Sequence, residues 1–288
     1  GKEKPYCLDS SGYAGSNVLD ANLSHLDSIP LNHEASVTVP GAVSGWETMH
    51  ESFGSLEFDL LLKDAINLCQ EGFPVSKELS QAITRHKTSL EKQVSSNNFY
   101  SSGKPLKEGE VLKRPELANT LSCIGKEGSS YFYTGKLALA IVNATNNLLT
   151  LDDMRNYKSK WTEPLVLDIF DKTGWTTPPH TQGYLTLATL KAYELSTKSG
   201  DEIEDHILIE CYRALAADRD NITYDYREEI NKFNGIDLEY IQEKTSAIDQ
   251  RSASIFPPPG KSGGGTAYMA IKDSMGNAVS LIQSNFHG

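Results

Sequence analysis

Residues 263–266 read Gly-Gly-Gly-Thr, and the threonine opens a run of apolar residues, AYMAI. A threonine hydroxyl is a weak nucleophile unless a base stands beside it. Its own α-amino group can be that base, because a pKa of about 8 suits proton exchange near neutral pH. The amine is free only if Thr266 is an N-terminus, so the chain must be cut between Gly265 and Thr266. Three glycines before that bond permit backbone angles that other residues resist. The Thr266 hydroxyl would then attack the Gly265 carbonyl, and the chain would cut itself. The same residues also fit a plain loop feeding a strand that begins on a β-branched residue. Residue chemistry alone leaves both readings open.

A nucleophile of this kind needs a rigid support. Residues 267–271 and 278–282 are almost continuously apolar, and DSMGN at 273–277 supplies turn residues between them. A strand solvated on one face alternates, so this pattern predicts a hairpin covered on both faces. Residues 254–265, SIFPPPGKSGGG, read as a linker, stiff through its prolines and free through its glycines. Residues 95–107, rich in Ser, Asn and Gly, read as a second loop. The chain between them is mostly helical by pattern. Phe58, Leu61, Leu62, Ala65, Ile66 and Cys69 recur at a helical period, and Gly72 is placed to end that helix in a left-handed conformation. Pro40 can open a helix running to about Ser52 with Gly54 as its stop, and Pro115 another with Leu117, Leu121 and Ile124 on one side. Thr150 and Asp153 have the spacing of a capping motif. Residues 163–170 read as a strand and residues 203–217 as an amphipathic helix.

The composition narrows the function classes. The chain has 288 residues, 39% hydrophobic and 23% charged, which suits a packed core in one large domain or two small ones. A formal net charge of −11 argues against a nucleic-acid partner, which needs clustered positive charge. No apolar run reaches the roughly 18 residues needed to cross a bilayer, so no membrane partner is expected. No signal peptide opens the chain, but its first residues read as mid-domain sequence, so the compartment stays open, with the cytoplasm only weakly favoured. Cys7, Cys69, Cys123 and Cys211 lie far apart without a CxxC pair, which predicts buried free thiols rather than zinc ligands. His180 reads as a packing or surface residue. Asp218 and Asp220, flanking Arg219, read as an ion-pair network rather than a metal site. No metal or organic cofactor is expected.

Residues 263–279, GGGTAYMAIKDSMGNAV, resemble the start of the small subunit in the γ-glutamyltransferase family. Other segments agree with that family in order: VPGAVSGW at 39–46, DAINLCQEGF at 64–73, IGKEG at 124–128, YFYTG at 131–135, LTLDDM at 149–154, PPHTQG at 178–183 and ADRD at 217–220. The resemblance covers nearly the whole chain. It implies an α+β, N-terminal-nucleophile hydrolase fold, an αββα sandwich of two stacked antiparallel sheets between helical layers. It implies one such domain over residues 1–288, incomplete at both ends, with residues 1–265 as the large-subunit part and 266–288 as the start of the small subunit. Both subunits would come from one precursor cut between Gly265 and Thr266. Thr266 would then be the catalytic residue, taking an acyl group from a glutathione-like γ-glutamyl amide, or a related amide, and passing it to water or an amine. No cofactor is implied, and a homo-oligomer is compatible with the family.

The sequence departs from the family in three places. Ser11, in DSSGYAG, stands where glutathione-binding members carry an arginine that holds the substrate α-carboxylate. A hydroxyl cannot replace a bidentate guanidinium contact without a large loss. That change favours an acylase of the cephalosporin type, acting on other amides, as the alternative activity. Ala267 replaces a second threonine, and QSNF at 283–286 replaces a T-L-N-T-T segment, which leaves Ser284 and Asn285 as candidate substrate contacts. An inactive relative serving as a binding subunit is the alternative outside enzymes. It has no reason to cut itself.

Overall fold

The computed structural model describes residues 4–30, 33–92, 94–197, 204–226, 229–256 and 266–284. They fall into two units, residues 11–158 and residues 1–10 with 159–288, each with its own core.

Within residues 11–158, helix α1 (Ala42–Phe53) ends at Gly54, whose N–H donates to the His50 carbonyl at 2.7 Å. Helix α2 (Phe58–Glu71) ends at Gly72, whose φ of 91° is the positive value that glycine tolerates. Its ψ of 170° lies outside the left-handed helical region, so the stop is extended rather than the expected left-handed cap. Helix α3 (Pro115–Glu127) has its proline in the first turn, where a missing N–H costs nothing. Leu117, Leu121 and Ile124 face inward as the spacing predicts, and Ala118 joins them. The inward seam of α2 is narrower than expected. Phe58, Leu62, Ile66 and Cys69 face the core, whereas Leu61 is 51% exposed and Ala65 is exposed. α2 packs chiefly on α3, and one neighbouring helix covers one seam.

Helices α4 (Gly135–Ala144) and α5 (Leu151–Asn156) complete a core that includes Val39, Tyr133, Val142, Leu149 and Met154. The expected cap of α5 is present as a reciprocal box. The Asp153 N–H donates to the Thr150 hydroxyl at 3.0 Å, and the Thr150 N–H donates to the Asp153 carboxylate at 2.8 Å. The same carboxylate accepts from the Ser16 N–H at 2.9 Å and from the Ser16 hydroxyl. Tyr13 donates its hydroxyl to the Asp153 carbonyl at 2.9 Å. One buried acid therefore ties the segment after Ser11 to α5. Residues 95–107, expected as a loop, hold a 3-10 turn (Val94–Phe99) and a two-residue hairpin (Tyr100–Ser101 with Lys104–Pro105).

In the other unit, β1 (Cys7–Asp9) pairs antiparallel with β2 (Lys160–Thr162), and β3 (Leu165–Ile169) with β4 (Lys172–Thr176). Helix α6 (Gly183–Ser196) lies on β3 and β4 and packs against α7 (Asp205–Ala216) and α8 (Leu238–Thr245). Tyr184, Ala188, Ala192, Cys211, Leu215 and Ile241 form the centre of this core. Gly183 closes the PPHTQG loop against β4, where a Cβ would sit 1.8 Å from the Thr176 hydroxyl oxygen. The strand expected over 163–170 is thus confined to Leu165–Ile169, and the start of the helix expected over 203–217 falls partly outside the described residues.

Cys7, Cys69 and Cys211 are buried free thiols and Cys123 is half-buried. Among the described residues the strands form five two-stranded antiparallel sheets, and no helix is long and apolar enough to cross a membrane.

Burial pushes the Asp153 carboxyl pKa up, but hydrogen bonds from Ser16 and Thr150 outweigh it and hold the carboxyl below its usual value. Its charge therefore stabilises the fold fully above the unfolded value of about 4, and that contribution fades as pH falls through the lower folded value. Asp153→Asn is expected to cost about 1–3 kcal/mol at pH 7 in chemical denaturation, with the gap to the parent closing below about pH 4. A gap that does not change with pH would rule out the charge as the cause.

Candidate active site

The apolar runs flanking DSMGN form the expected hairpin, β5 (Ala267–Lys272) with β6 (Ala278–Gln283). The Asp273 carboxylate accepts from the Met275 N–H at 2.9 Å, the Asn277 N–H at 2.8 Å and the Asn277 side-chain amide at 2.8 Å. The Asn277 side-chain bond, assisted by these backbone donors, keeps the Asp273 carboxyl below its usual pKa. Gly276 has a φ of 91°, which the turn requires and a β-branched residue resists.

This turn fixes the register: Ala267 faces Gln283, Tyr268 faces Ile282 and Ala270 faces Ser280. Thr266 and Ser284 are the next residues outward on the two strands. The Thr266 hydroxyl donates to the Ser284 hydroxyl oxygen at 3.1 Å. The structure thus brings together two of the residues singled out from the sequence, a candidate nucleophile and a candidate contact. Gly265 and Asn285 lie outside the described residues. Ser11 belongs to the other unit, where Tyr157 donates its hydroxyl to the Ser11 carbonyl at 3.2 Å.

One expectation about this support is corrected. The hairpin is not covered on both faces: Ile271 is 67% exposed on one face, and Tyr268 and Ile282 are exposed on the other. β5 and β6 pair only with each other in their sheet. The apolar pattern records what these strands need to bury, and no described residue supplies the covering layers.

The remaining candidates make ion pairs within the unit of residues 1–10 and 159–288. His180 stands 3.2 Å from the Asp9 carboxylate, both side chains being largely buried. Asp9, at the end of β1 opposite Lys160, has no signal of its own in the sequence. Asp218 accepts from Tyr240 at 3.1 Å and pairs with Lys244 at 3.1 Å, while Arg219 pairs with Asp220 at 2.7 Å. This is the ion-pair network expected of ADRD. Among the described residues no group of His, Cys, Asp and Glu is arranged to hold a metal ion.

The gamma-glutamyltranspeptidase family profile matches residues 1–288. The chain belongs to this family. It is 31% identical to the glutathione hydrolase-like YwrD proenzyme of Bacillus subtilis, over 96% of this chain and 54% of that protein. It is also 31% identical to the oxamate amidohydrolase proenzyme of Klebsiella pneumoniae, over 98% of this chain and 56% of that protein. The crystal structure of cephalosporin acylase from Bacillus halodurans superposes with a TM-score of 0.83 at 27% identity, over 100% of this chain and 56% of that one. The fold is therefore the α+β fold of the N-terminal-nucleophile hydrolases of this family. The chain spans about half the length of the curated relatives it matches.

Gly276→Val is expected to weaken the turn by about 1–2 kcal/mol, the cost of a left-handed angle at a residue with a Cβ. Amide hydrogen exchange across β5 and β6 should then speed up by about tenfold. Unchanged exchange would mean that the turn does not fix this pairing.

Proposed function

We propose that this chain is the nucleophile-bearing part of a self-processing amidohydrolase or acyltransferase, with Thr266 as both the agent of cleavage and the catalytic residue. The observation that carries the reading is the Thr266 hydroxyl, held to Ser284 at the open end of the hairpin directly after three glycines. Membership of the family and relatives named as proenzymes support it.

In the processing step the Thr266 oxygen adds to the Gly265 carbonyl carbon. The Gly265–Thr266 C–N bond then breaks, and the nitrogen takes the proton given up by the hydroxyl. The resulting ester is hydrolysed by water, leaving a carboxylate on Gly265 and a free amine on Thr266. Residues 1–265 thereby become the large part and residue 266 opens the small one. In turnover the α-amine takes the hydroxyl proton as the oxygen attacks a substrate amide, and returns it to the leaving amine. Water or a second amine then removes the acyl group from Thr266. Ser284, as acceptor, holds the hydroxyl in one orientation before attack. The small-molecule amide is the expected substrate, and no step requires a cofactor.

Ser11 favours a second reading of the substrate, an acyl amide without the γ-glutamyl α-carboxylate. The named activities of the Klebsiella amidohydrolase and the Bacillus halodurans acylase are consistent with such a range.

Intact-mass analysis of the full-length gene product tests the nucleophile. The parent should yield two fragments that meet at Gly265–Thr266, Thr266→Ser should still cut, and Thr266→Ala should stay whole. An uncut parent, or a cut Thr266→Ala, would overturn the assignment. In the processed enzyme kcat/KM should rise with pH as the α-amine loses its proton, with a midpoint at about 8 or below.

Ser11→Arg tests the substrate reading. It should raise kcat/KM for γ-glutamyl amides over glutaryl amides by about tenfold, the worth of one charge-assisted contact. An unchanged ratio would show that Ser11 does not set the substrate preference.

A further inference from the structure

Helix α7 carries an acid where its neighbours are apolar. Glu210 is 1% exposed and lies beside Ile207, Cys211 and Ala214 in the buried stripe of the helix. A buried carboxylate is costly unless its charge and lone pairs are satisfied. Two groups satisfy this one. Arg213, one turn along the helix, forms an ion pair with it. The other is the N–H of Ser254, which donates to the Glu210 carboxylate at 2.7 Å.

Further contacts join the same two segments. Arg213 donates to the Ser254 carbonyl at 3.0 Å, and its guanidinium lies 5.6 Å from the centre of the Phe256 ring. The His206 ring nitrogen Nε2 is 3.0 Å from the Asp249 carbonyl. Positions 206, 210 and 213 share one helical face. The Asp249 carboxylate in turn accepts from the Arg251 and Ser252 N–H groups at 2.7 Å each. Residues 249–256 are thus held by backbone contacts along one face of α7, although Ile255 between them is 100% exposed. Apolar burial does not account for that attachment.

The place of this segment in the chain suggests its purpose. Residues 257–265 are all that separate Phe256 from Thr266 in the sequence. Holding the N-terminal end of so short a run removes some of the conformations that an acyl shift would otherwise have to search.

We propose that Glu210 and Arg213 form a clamp that seats residues 254–256 and thereby speeds cleavage at Gly265–Thr266. The clamp rests on the processing reading above. Its residues are positioning residues: they act through the backbone of residues 254–256. Because the clamp acts on the uncut chain, it has no part in turnover once the bond is broken.

The test uses the full-length precursor, with the first-order rate of self-cleavage followed by intact mass. Ser254→Pro removes the clamped N–H without altering α7, and Glu210→Ala removes its acceptor. Both should slow cleavage by about tenfold, and the double variant should be no slower than either alone. Glu210→Gln keeps an oxygen for the Ser254 N–H and should cut at nearly the parental rate. Turnover of the fully processed variants should match that of the processed parent. Parental cleavage rates in Ser254→Pro would overturn the clamp, as would processed-enzyme turnover falling in step with cleavage. If Glu210→Ala does not fold, Ser254→Pro decides alone. A parent that never cuts would remove the processing reading, and the clamp with it. A parent that cuts while all variants keep pace would remove the clamp only.

Discussion

The pairing of β5 with β6 decides where the Thr266 hydroxyl points. Side chains alternate along a strand, so a slip of one residue would turn Thr266 to the opposite face and away from Ser284. The Asp273–Asn277 turn prevents that slip. Its carboxylate gathers the Met275 and Asn277 N–H groups together with the Asn277 amide, and Gly276 takes the angle the loop requires. A nucleophile on this hairpin is therefore aimed by groups at its far end. The exposure of Tyr268, Ile271 and Ile282 shows that its faces are still unmet by the described residues.

The two units use buried charge in the same way, as a fastener between segments distant in sequence. Asp153 caps α5 and at the same time holds Ser16, 137 residues away. Glu210 sits in the apolar stripe of α7 and holds Ser254, 44 residues away. Each carboxylate lies below its usual pKa. For Asp153, bonds from Ser16 and Thr150 overcome burial, and for Glu210 the Ser254 N–H leads. Apolar packing tolerates small shifts, whereas a buried carboxylate demands defined donors. That makes such acids suitable where a segment must be set in one place. One fastens the stretch that follows Ser11, and the other fastens the approach to Thr266.

Features encoded over a few residues were legible in the sequence. The turn at DSMGN, the capping box of Thr150 and Asp153, the proline start of α3 and the stop at Gly54 each depend on neighbours within one turn of chain. The seam of α2 was only half legible. Periodicity names the apolar positions, but packing on α3 selects Phe58, Leu62, Ile66 and Cys69 and leaves Leu61 outside. The two-sided burial expected of β5 and β6 fails for a related reason, since an apolar pattern states a need without supplying what meets it. In the candidate site, the glycines and strand around Thr266 also fit a plain loop, and it was the resemblance to the family that singled this residue out. The contact with Ser284 required the register. The links of Asp9 to His180 and of Glu210 to Ser254 have no local signature, apart from an acid placed among apolar residues in α7.

The central claim is that the Thr266 hydroxyl carries the acyl group during turnover. The most direct measurement is peptide mapping by mass spectrometry after the processed full-length product is mixed with a γ-glutamyl or glutaryl amide and quenched in acid. The account predicts an added acyl mass on the peptide that begins at Thr266, removable by hydroxylamine as an ester would be. Turnover with that peptide unmodified and the acyl group on another residue would contradict it.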